Sequence, residues 1–194
     1  MDVKRTVHGV GYNSGGRHIV SIKCMRTSTY MTWYNMMTRC YSEKLHNRLP
    51  QYKNCEVDEV WKDFQGFAEW YEGHDFAGLG YHLDKDLLVS GNELYSPDNC
   101  CLLPQELNKL ITSGKRSRDC LVGTHWSKRA EKWLSSVSVD NKQVHLGTFD
   151  TELEAHLAYI KSKEILVRQE ALFWFGKVEP RAYEALISWR YNPA

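Results

Sequence analysis

The stretch that decides the fold is HLDKDLLVSGNELYSPDNCCLLPQELN, residues 82–108. An apolar run at residues 87–89 predicts a short strand, and SGNE at residues 90–93 is typical of a hairpin turn. LYSPDNCCLL offers a second strand or loop, and PQELNKLI predicts a helix with Pro104 near its first turn. In a strand, turn, strand and helix arrangement, aspartate from the first arm, asparagine from the second and Asn108 from the helix can converge.

Two aromatic stripes before this stretch predict scaffold helices. YMTWYNMMTRCY spaces its apolar residues by three and four, the pattern of an amphipathic helix: Trp33, Met36, Met37 and Cys40. VDEVWKDFQGFAEWYEG repeats that pattern and has Gly73 as its predicted stop: Val60, Trp61, Phe64, Phe67 and Trp70. Such stripes are more often core than stacking platforms, so we expect both helices to be structural.

The region after residue 130 predicts a small sheet backed by a helix. KWLSSVSVDNKQVHLGTF alternates strictly over two strands joined by the turn DNK. One side carries Trp133, Ser135, Val137 and Val139, joined by Val144 and Leu146, and the other carries Leu134, Ser136 and Ser138. TELE at residues 151–154 is a capping box that opens a helix to about residue 170, and a last helix ends near Trp189. We expect the free face of the sheet to carry Gln143 and His145 beside the serines.

Composition and charge limit the class of protein. The chain has 194 residues with 42% apolar content, enough for one domain or two small ones. It has no run of 18 apolar residues and no secretory signal, which predicts no membrane span and a reducing compartment. Its six cysteines contain no C-x-x-C pair, so neither a disulfide framework nor a standard zinc site is indicated.

The net charge of +1 hides an uneven distribution. Residues 1–55 carry 9 basic and 2 acidic groups, 56–108 carry 2 and 12, 109–145 carry 8 and 3, and 146–194 carry 6 and 7. Basic segments suit a polyanion because Lys and Arg displace condensed counterions, and a carboxylate cluster attracts divalent cations. From the counts alone, ordinary solvated charge explains the distribution about as well.

Four motifs occur in the order found in one family. WYNMMTRCYSEKL, VWKDFQGFAEW, LDKDLLVSGNELYSPDNCCLLPQELN and KWLSSVSVDNKQVHLGTFDTELEAHLAYIKSKE together resemble bacteriophage HNH homing endonucleases with an AP2-type DNA-binding domain. The resemblance runs from about Gly9 to Trp189. It implies an α+β chain: a ββα-metal (His-Me finger) nuclease core and an AP2-like three-stranded sheet packed on a helix. The expected domains are 1–112, a basic linker 113–122, and 123–194 with a C-terminal helical extension.

The resemblance also implies a metal site. Asp84 and Asn108 correspond to the ligands of one Mg²⁺ or Mn²⁺ ion, with Asp86 as a further candidate, and Asn99 corresponds to the asparagine that orients the base. The family signature has His directly after Asp, whereas Lys85 stands here. We expect His82 to be the base and Lys85 a phosphate contact, with the reverse assignment nearly equal. A damaged centre that leaves only DNA binding is the third outcome.

The residue types alone leave several of these assignments open. Asp84 and Asp86 can be ordinary turn carboxylates, and Asn92 in SGNE is best explained as a turn former. Asn99 after SPD is about evenly a turn residue or a site residue. Asn108 indicates a site role more strongly than Asn99 does, because asparagine is a poor helix former and nothing local in QELNKL explains its presence.

Candidate DNA contacts lie on the outward face and flanks of the predicted sheet and in the basic linker. Strands in a groove read base edges, while Lys and Arg fix register on phosphates. The sheet candidates are His125, Lys128, Arg129, Lys132, Ser136, Ser138, Gln143 and His145. The linker candidates are Lys115, Arg116 and Arg118. Serines stand where AP2 sheets carry more arginine, so we expect modest specificity and affinity chiefly from phosphates.

These patterns lead to one expected function and two rivals. The expectation is a divalent-metal-dependent DNA endonuclease, phage-encoded and acting in the cytoplasm of the infected bacterial host on double-stranded DNA. One ββα centre cuts one strand, so a monomer would nick and a double-strand break would need a homodimer or a second binding event. The rivals are a catalytically inactive DNA-binding protein or regulator, and a zinc-stabilised structural domain.

Overall fold

The computed structural model describes residues 7–112, 120–139 and 142–192, which form two compact units. The first unit ends at Asn108 and also includes Gly176–Ala182, and the second takes in the remaining described residues. Short strands and seven helices are interspersed in this part of the chain, which confirms the predicted α+β class. The return of Gly176–Ala182 to the first unit differs from the predicted division, and residues 113–119 of the predicted linker lie outside the described residues.

The first unit is built from short strands around aromatic helices. Its strands are β1 (Ser21–Ile22), β2 (Met25–Arg26), β3 (Glu56–Val57), β4 (His82–Asp84), β5 (Leu94–Tyr95) and β6 (Cys101–Leu103). Its helices are α1 (Ser28–Tyr41), α2 (Glu43–His46), a 3₁₀ turn (Pro50–Tyr52), α3 (Glu59–Lys62), α4 (Phe64–Glu72) and α5 (Gln105–Ile111), the last of which crosses the unit boundary. β1 pairs with β2 and β4 with β6 in antiparallel register, whereas β3 and β5 are parallel.

Helix α1 forms where the apolar spacing predicts it. Thr27 caps its N-terminus by accepting a hydrogen bond from the backbone N–H of Tyr30. The predicted stripe is buried in the core of the first unit: Trp33, Met36, Met37 and Cys40. The indole Nε1 of Trp33 donates to the carbonyl of Trp61 at 2.7 Å, which satisfies the polar atom of a fully buried side chain.

The second aromatic stripe does not form one helix, which corrects the sequence prediction. Asp63 adopts an extended conformation between α3 and α4, and its carboxylate accepts the N–H of Gln65 to cap α4. The helix is interrupted there because Tyr12 bonds to the backbone on both sides of Asp63. Its N–H donates to the Lys62 carbonyl, and its carbonyl accepts from the Phe64 N–H. Gly73 ends α4 as predicted.

The decisive stretch also differs from the prediction in one element. The first strand, β4, is His82–Asp84 rather than the apolar run at 87–89, which lies in a loop. The strand ends because Asp84 Oδ1 accepts the N–H groups of Asp86 and Leu87 at 3.0 and 2.7 Å and turns the chain. The order of strand, loop, strand and helix is otherwise as predicted, with α5 following β6 after Pro104 alone.

The second unit is a three-stranded antiparallel sheet packed on one long helix. Its elements are β7 (Thr124–Ser127), β8 (Lys132–Val139), β9 (Lys142–Phe149), α6 (Glu152–Phe173) and α7 (Pro180–Ile187), the last of which begins in the first unit. The strand order is β7-β8-β9, and α6 contacts all three strands. A complete capping box between Thr151 and Glu154 starts α6, as predicted.

The alternation in β8 decides which side of the sheet faces α6. Ser135 and Val137 are buried on the helix side, with Tyr159 and Tyr191 in the same core. The register shifts between Ser135 and Ser136, so Leu146 has no direct partner on β8. Of the helices in the described part of the chain, none is long and apolar enough to span a bilayer.

Candidate metal centre and candidate nucleic-acid interface

Asp84 stands at the end of β4, opposite Cys101 of β6. Its Oδ1 already accepts two backbone N–H groups, whereas Oδ2 makes no hydrogen bond to any residue within the described ranges. Burial raises the pKa of this carboxyl; the Leu87 N–H opposes the shift and the neighbouring Asp86 adds to it. A half-buried carboxylate with one committed oxygen and one uncommitted oxygen is suited to receive a cation.

Lys85 is bound inside the loop rather than presented to solvent. Its buried side chain donates from Nζ to Asp86 Oδ1 and to the Asn92 carbonyl, each at 2.5 Å. Burial alone would lower the pKa of Lys85, but the hydrogen bond and charge of Asp86 raise it above its ordinary value. A permanently protonated, doubly engaged amine is a poor general base, and its position also leaves it no free reach to a phosphate.

Asn92 is the centre of the loop between β4 and β5, a role beyond the simple turn former expected from sequence. Its Nδ2 donates to the carbonyls of Lys85 and Leu94 at 2.9 and 2.7 Å. Its Oδ1 accepts from the Leu94 N–H at 3.0 Å and from Asn99 Nδ2 at 3.2 Å. One side chain therefore ties together the start and the end of the loop and the following turn.

No hydrogen bond within the described residues joins Asn99 to His82, the base that the family resemblance implies Asn99 would orient. The Asn99 amide donates to Asn92, and its backbone N–H bonds to Ser96 Oγ, so its structural partner is the loop rather than a histidine. His82 opens β4, two residues before Asp84 and on the same side of the strand. Its exposed ring forms no hydrogen bond with any described residue, so it is open to solvent and to a ligand.

Asn108 lies in α5, where its backbone N–H bonds to the Pro104 carbonyl at 3.0 Å. Its side chain is half-buried. Because β6 pairs with β4 and α5 begins directly after β6, the helix starts beside the strand that carries Asp84.

The donor set fits a hard divalent cation better than zinc. Among the described residues, no group of three or more His, Cys, Asp and Glu side chains could hold a metal ion. Mg²⁺ commonly binds through one or two carboxylates and completes its shell with water and substrate phosphate, so a full protein cage is not required. Asp84 Oδ2 and the amide oxygen of Asn108 are donors of that kind, whereas Asp86 is already paired with Lys85.

A segment far away in sequence supports the turn that carries Asn99. Arg181 donates to the carbonyls of Pro97, Asp98 and Cys100 at 2.8–3.0 Å and to Glu179 at 2.7 Å. The other oxygen of Glu179 is buried and has no hydrogen-bond partner among the described residues. About 80 residues of sequence separate Arg181 from its acceptors, and no local pattern signals the contact.

Glu179 belongs to the same neighbourhood as Asp84. Burial raises the pKa of the Cys101 thiol, and the charges of Asp84 and Glu179 both act in the same direction. The charges of both carboxylates therefore act on one buried thiol of the β4–β6 pair. Sequence analysis missed Glu179, since its position after the long helix indicates only a loop.

The outward face of the second unit brings together five of the eight DNA contacts predicted on the sheet and its flanks. The register places Ser136 opposite His145 and Ser138 opposite Gln143, while His125 lies opposite Leu134 on the same side. This side faces away from the buried Ser135 and Val137, and its polar residues are exposed or half-buried.

Of the basic candidates, Lys132 begins β8 on the outward side of the sheet, and the other described ones lie in the turn beside it. Lys128 and Arg129 are exposed in the turn between β7 and β8, and Lys132 forms an ion pair with Asp150. The predicted linker contacts Lys115, Arg116 and Arg118 lie outside the described residues.

Comparison with known proteins adds no relative. The chain matches no protein-family model, and no curated protein and no solved structure gives a significant match.

Proposed function

We propose that this protein is a divalent-metal-dependent DNA endonuclease with a ββα-metal core in its first unit and an AP2-like DNA-binding sheet in its second. The observation that carries the proposal is the β4–loop–β6–α5 arrangement. It sets a carboxylate with one uncommitted oxygen at a strand end and starts the asparagine-bearing helix beside that strand. A one-metal phosphodiester hydrolase needs an anionic ligand and further oxygen donors for its ion, and residues of this arrangement supply both types of donor.

When bound, a divalent ion would neutralise charge at the scissile phosphate and the leaving oxygen. Asp84 provides the anionic ligand, held in place by the two N–H groups on Oδ1, and Asn108 provides a neutral oxygen. His82 acts as the base that takes a proton from water, because its ring is exposed and unengaged within the described residues. Lys85 stabilises the loop instead of touching phosphate, which revises the role expected from sequence.

The second unit supplies binding along the duplex. A polar sheet face of serine, glutamine and histidine side chains can make hydrogen bonds to base edges, and the exposed Lys128 and Arg129 beside it can contact phosphates. The face itself carries few charged side chains. This agrees with a protein whose affinity for DNA comes mainly from basic residues at the edges of the sheet.

A second candidate function is supported by one specific observation. Asn99 is bonded to Asn92, and His82 has no orienting partner among the described residues. An unoriented base favours a protein that binds DNA without cutting it, the inactive regulator considered above. Catalytic hydrogen bonds are often completed only when substrate binds, which is why the nuclease remains the first proposal.

A plasmid assay separates the two functions. Supercoiled DNA is incubated with the protein in Mg²⁺ or EDTA, with Asp84→Asn, Asn108→Ala and the control Asp75→Ala, which alters an exposed carboxylate on another loop. Metal-dependent nicking should fall by about 100-fold or more in the first two variants, since charge stabilisation by the ion is worth several kcal/mol. Asp84→Asn keeps an acceptor for both N–H groups, so its fold should persist. DNA binding by all proteins without any metal-dependent cleavage selects the inactive binder.

A further inference from the structure

A hairpin near the N-terminus has no part in the proposed site. Strands β1 and β2 pair only with each other and form a two-residue hairpin over residues 21–26, all of which are exposed. We refer to residues 21–26 as the N-terminal hairpin. An isolated two-stranded hairpin is marginally stable in water, so its base must be held by the rest of the unit.

The base of the hairpin is fixed to the start of α1. The N–H of Thr27 donates to the Val20 carbonyl at 3.0 Å, and its hydroxyl donates to the Ile19 carbonyl at 3.1 Å. The same hydroxyl accepts from the Tyr30 N–H as the helix cap. Thr27 therefore both closes the hairpin and caps the helix, so the base of the hairpin is fixed to α1.

The preceding residues are anchored on α4. His18 is buried with Nδ1 2.7 Å from Glu72 and Nε2 3.0 Å from Glu69, and Arg17 pairs with Glu69. The backbone N–H of His18 also donates to Gln65 Oε1 at 3.1 Å. Both ends of the hairpin are thus held by the body of the unit, while its tip projects.

The tip of the hairpin carries two exposed apolar side chains on a turn with an unfavourable backbone conformation. Ile22 and Met25 lie directly opposite each other and are 55% and 72% exposed. The turn residues Lys23 and Cys24 have φ values of +46° and +65°. A two-residue hairpin turn requires such positive φ values, and an Asn-Gly pair adopts them at a lower energetic cost than these two residues do. A strained turn that holds two large apolar side chains in water is unfavourable for the free protein and indicates an interaction.

The charge around the tip selects a polyanionic partner. The sequence from residue 3 to residue 42 contains no Asp or Glu. Lys23 and Arg26 form no ion pair within the described residues, and the Arg26 guanidinium lies 4.7 Å from the centre of the Tyr30 ring, which orients it. Apolar side chains flanked by Lys and Arg are the combination with which proteins enter the minor groove and unstack a base step.

We infer that the N-terminal hairpin is a DNA wedge: Ile22 and Met25 enter a base step of the minor groove while Lys23 and Arg26 contact the adjoining phosphates. This inference rests on the proposed function, since it assumes that duplex DNA is the ligand. It adds a distortion of the DNA that the metal centre does not require.

The wedge is tested without cleavage. A closed plasmid is relaxed by a type I topoisomerase in EDTA with the wild-type protein, with Ile22→Ser/Met25→Ser, or with the control Leu157→Ser/Ile165→Ser, which alters exposed apolar residues of α6. Wild type and control should shift the topoisomer distribution, and the hairpin variant should lose at least half of that shift. Equal shifts for wild type and hairpin variant, or no shift with bound wild type, overturn the inference.

The charged residues give an independent readout. Lys23→Ala/Arg26→Ala should reduce the slope of log K against log salt by about 1.8, because each phosphate contact contributes about 0.9. An unchanged slope contradicts the assignment. If Ile22→Ser/Met25→Ser instead changes the oligomeric state in gel filtration with no effect on DNA, the hairpin is a contact between copies. Absence of any DNA binding by wild type refutes the proposed function itself, whereas Mg²⁺-dependent nicking with an unaffected topoisomer pattern refutes only the wedge.

Discussion

Replacing Asn92 by Ala should unfold the loop between β4 and β5 at a measurable cost. The side chain makes four hydrogen bonds of 2.7–3.2 Å, to the backbone of Lys85 and Leu94 and to the amide of Asn99. Each typical bond contributes about 0.5–1.5 kcal/mol net. Because Asn92 is half-buried, water can replace part of the loss, and we expect a destabilisation of about 2–4 kcal/mol.

Hydrogen exchange is the assay that localises this effect. The Leu94 N–H donates to Asn92 Oδ1, so its protection should fall at least tenfold, which corresponds to about 1.4 kcal/mol. The Glu154 N–H, which bonds to Thr151 in the second unit, serves as an internal reference outside this loop. Urea unfolding followed by tryptophan fluorescence should show the accompanying loss of global stability.

Two further variants serve as comparisons for Asn92→Ala. Asn54→Ala removes an exposed amide whose only side-chain hydrogen bond among the described residues is to Glu93 at 3.4 Å. It should change stability by less than about 0.5 kcal/mol. Asn92→Asp keeps the acceptor oxygen but sets a carboxylate oxygen against the Lys85 and Leu94 carbonyls, so it should destabilise the loop at least as much as Asn92→Ala. If Asn92→Ala lies within about 0.5 kcal/mol of wild type, the network does not hold the loop and the reasoning fails.

Three further predictions test other parts of the structure. Burial alone would lower the pKa of His18, but its hydrogen bonds to Glu69 and Glu72 raise the pKa above its ordinary value. The stabilisation from protonated His18 is therefore complete below about pH 6.5, the pKa in the unfolded chain, and is lost as the pH rises through the pKa in the folded protein. Urea titrations should therefore show stability falling above neutral pH in wild type, with a flatter profile in His18→Gln; parallel profiles would contradict this. Gly123→Ala should cost about 2–4 kcal/mol in thermal unfolding, because φ is +81° and a Cβ would lie 2.2 Å from the Tyr159 ring; a stable variant would show that the ring can move. Thr151→Ala should lower the stability of the second unit by about 1 kcal/mol through loss of the capping box, measured by urea denaturation against Thr32→Ala, which leaves every cap in place.

Local patterns predicted the elements whose stability is local. The stripe through Trp33 and Met37 identified α1, and TELE identified the first turn of α6, because both depend on residues three or four apart. The alternation of β8 also identified the buried Val137 and the face opposite it.

Contacts between distant segments were not predictable in this way. The break at Asp63 depends on Tyr12, about 50 residues earlier, and the support of the Asn99 turn depends on Arg181. The two-residue parallel pair β3–β5 joins residues nearly 40 apart and is too short to leave a periodic signal. Helical periodicity in the sequence persists across Asp63 although the helix does not, because tertiary contacts override a local preference.

The residues of the candidate site also divide into those that the sequence indicated and those whose role depends on tertiary contacts. Asp84, Asn99 and Asn108 came from the family resemblance, whereas the side chain that organises the loop, Asn92, was assigned only a turn role. Lys85 looked available because its sequence neighbours are polar, yet burial and Asp86 keep it inside the loop. Composition indicated a carboxylate-rich centre, but only the hydrogen bonds show which oxygen of Asp84 binds the backbone.

The central claim is that Asp84 and Asn108 hold one divalent cation, and crystals soaked in Mn²⁺ test it most directly. An anomalous difference map should contain one peak at bonding distance from Asp84 Oδ2 and the Asn108 amide oxygen, and that peak should vanish in Asp84→Asn crystals. A map without a peak at the end of β4, or with manganese bound only by other side chains, would contradict the metal centre and the nuclease proposed on it.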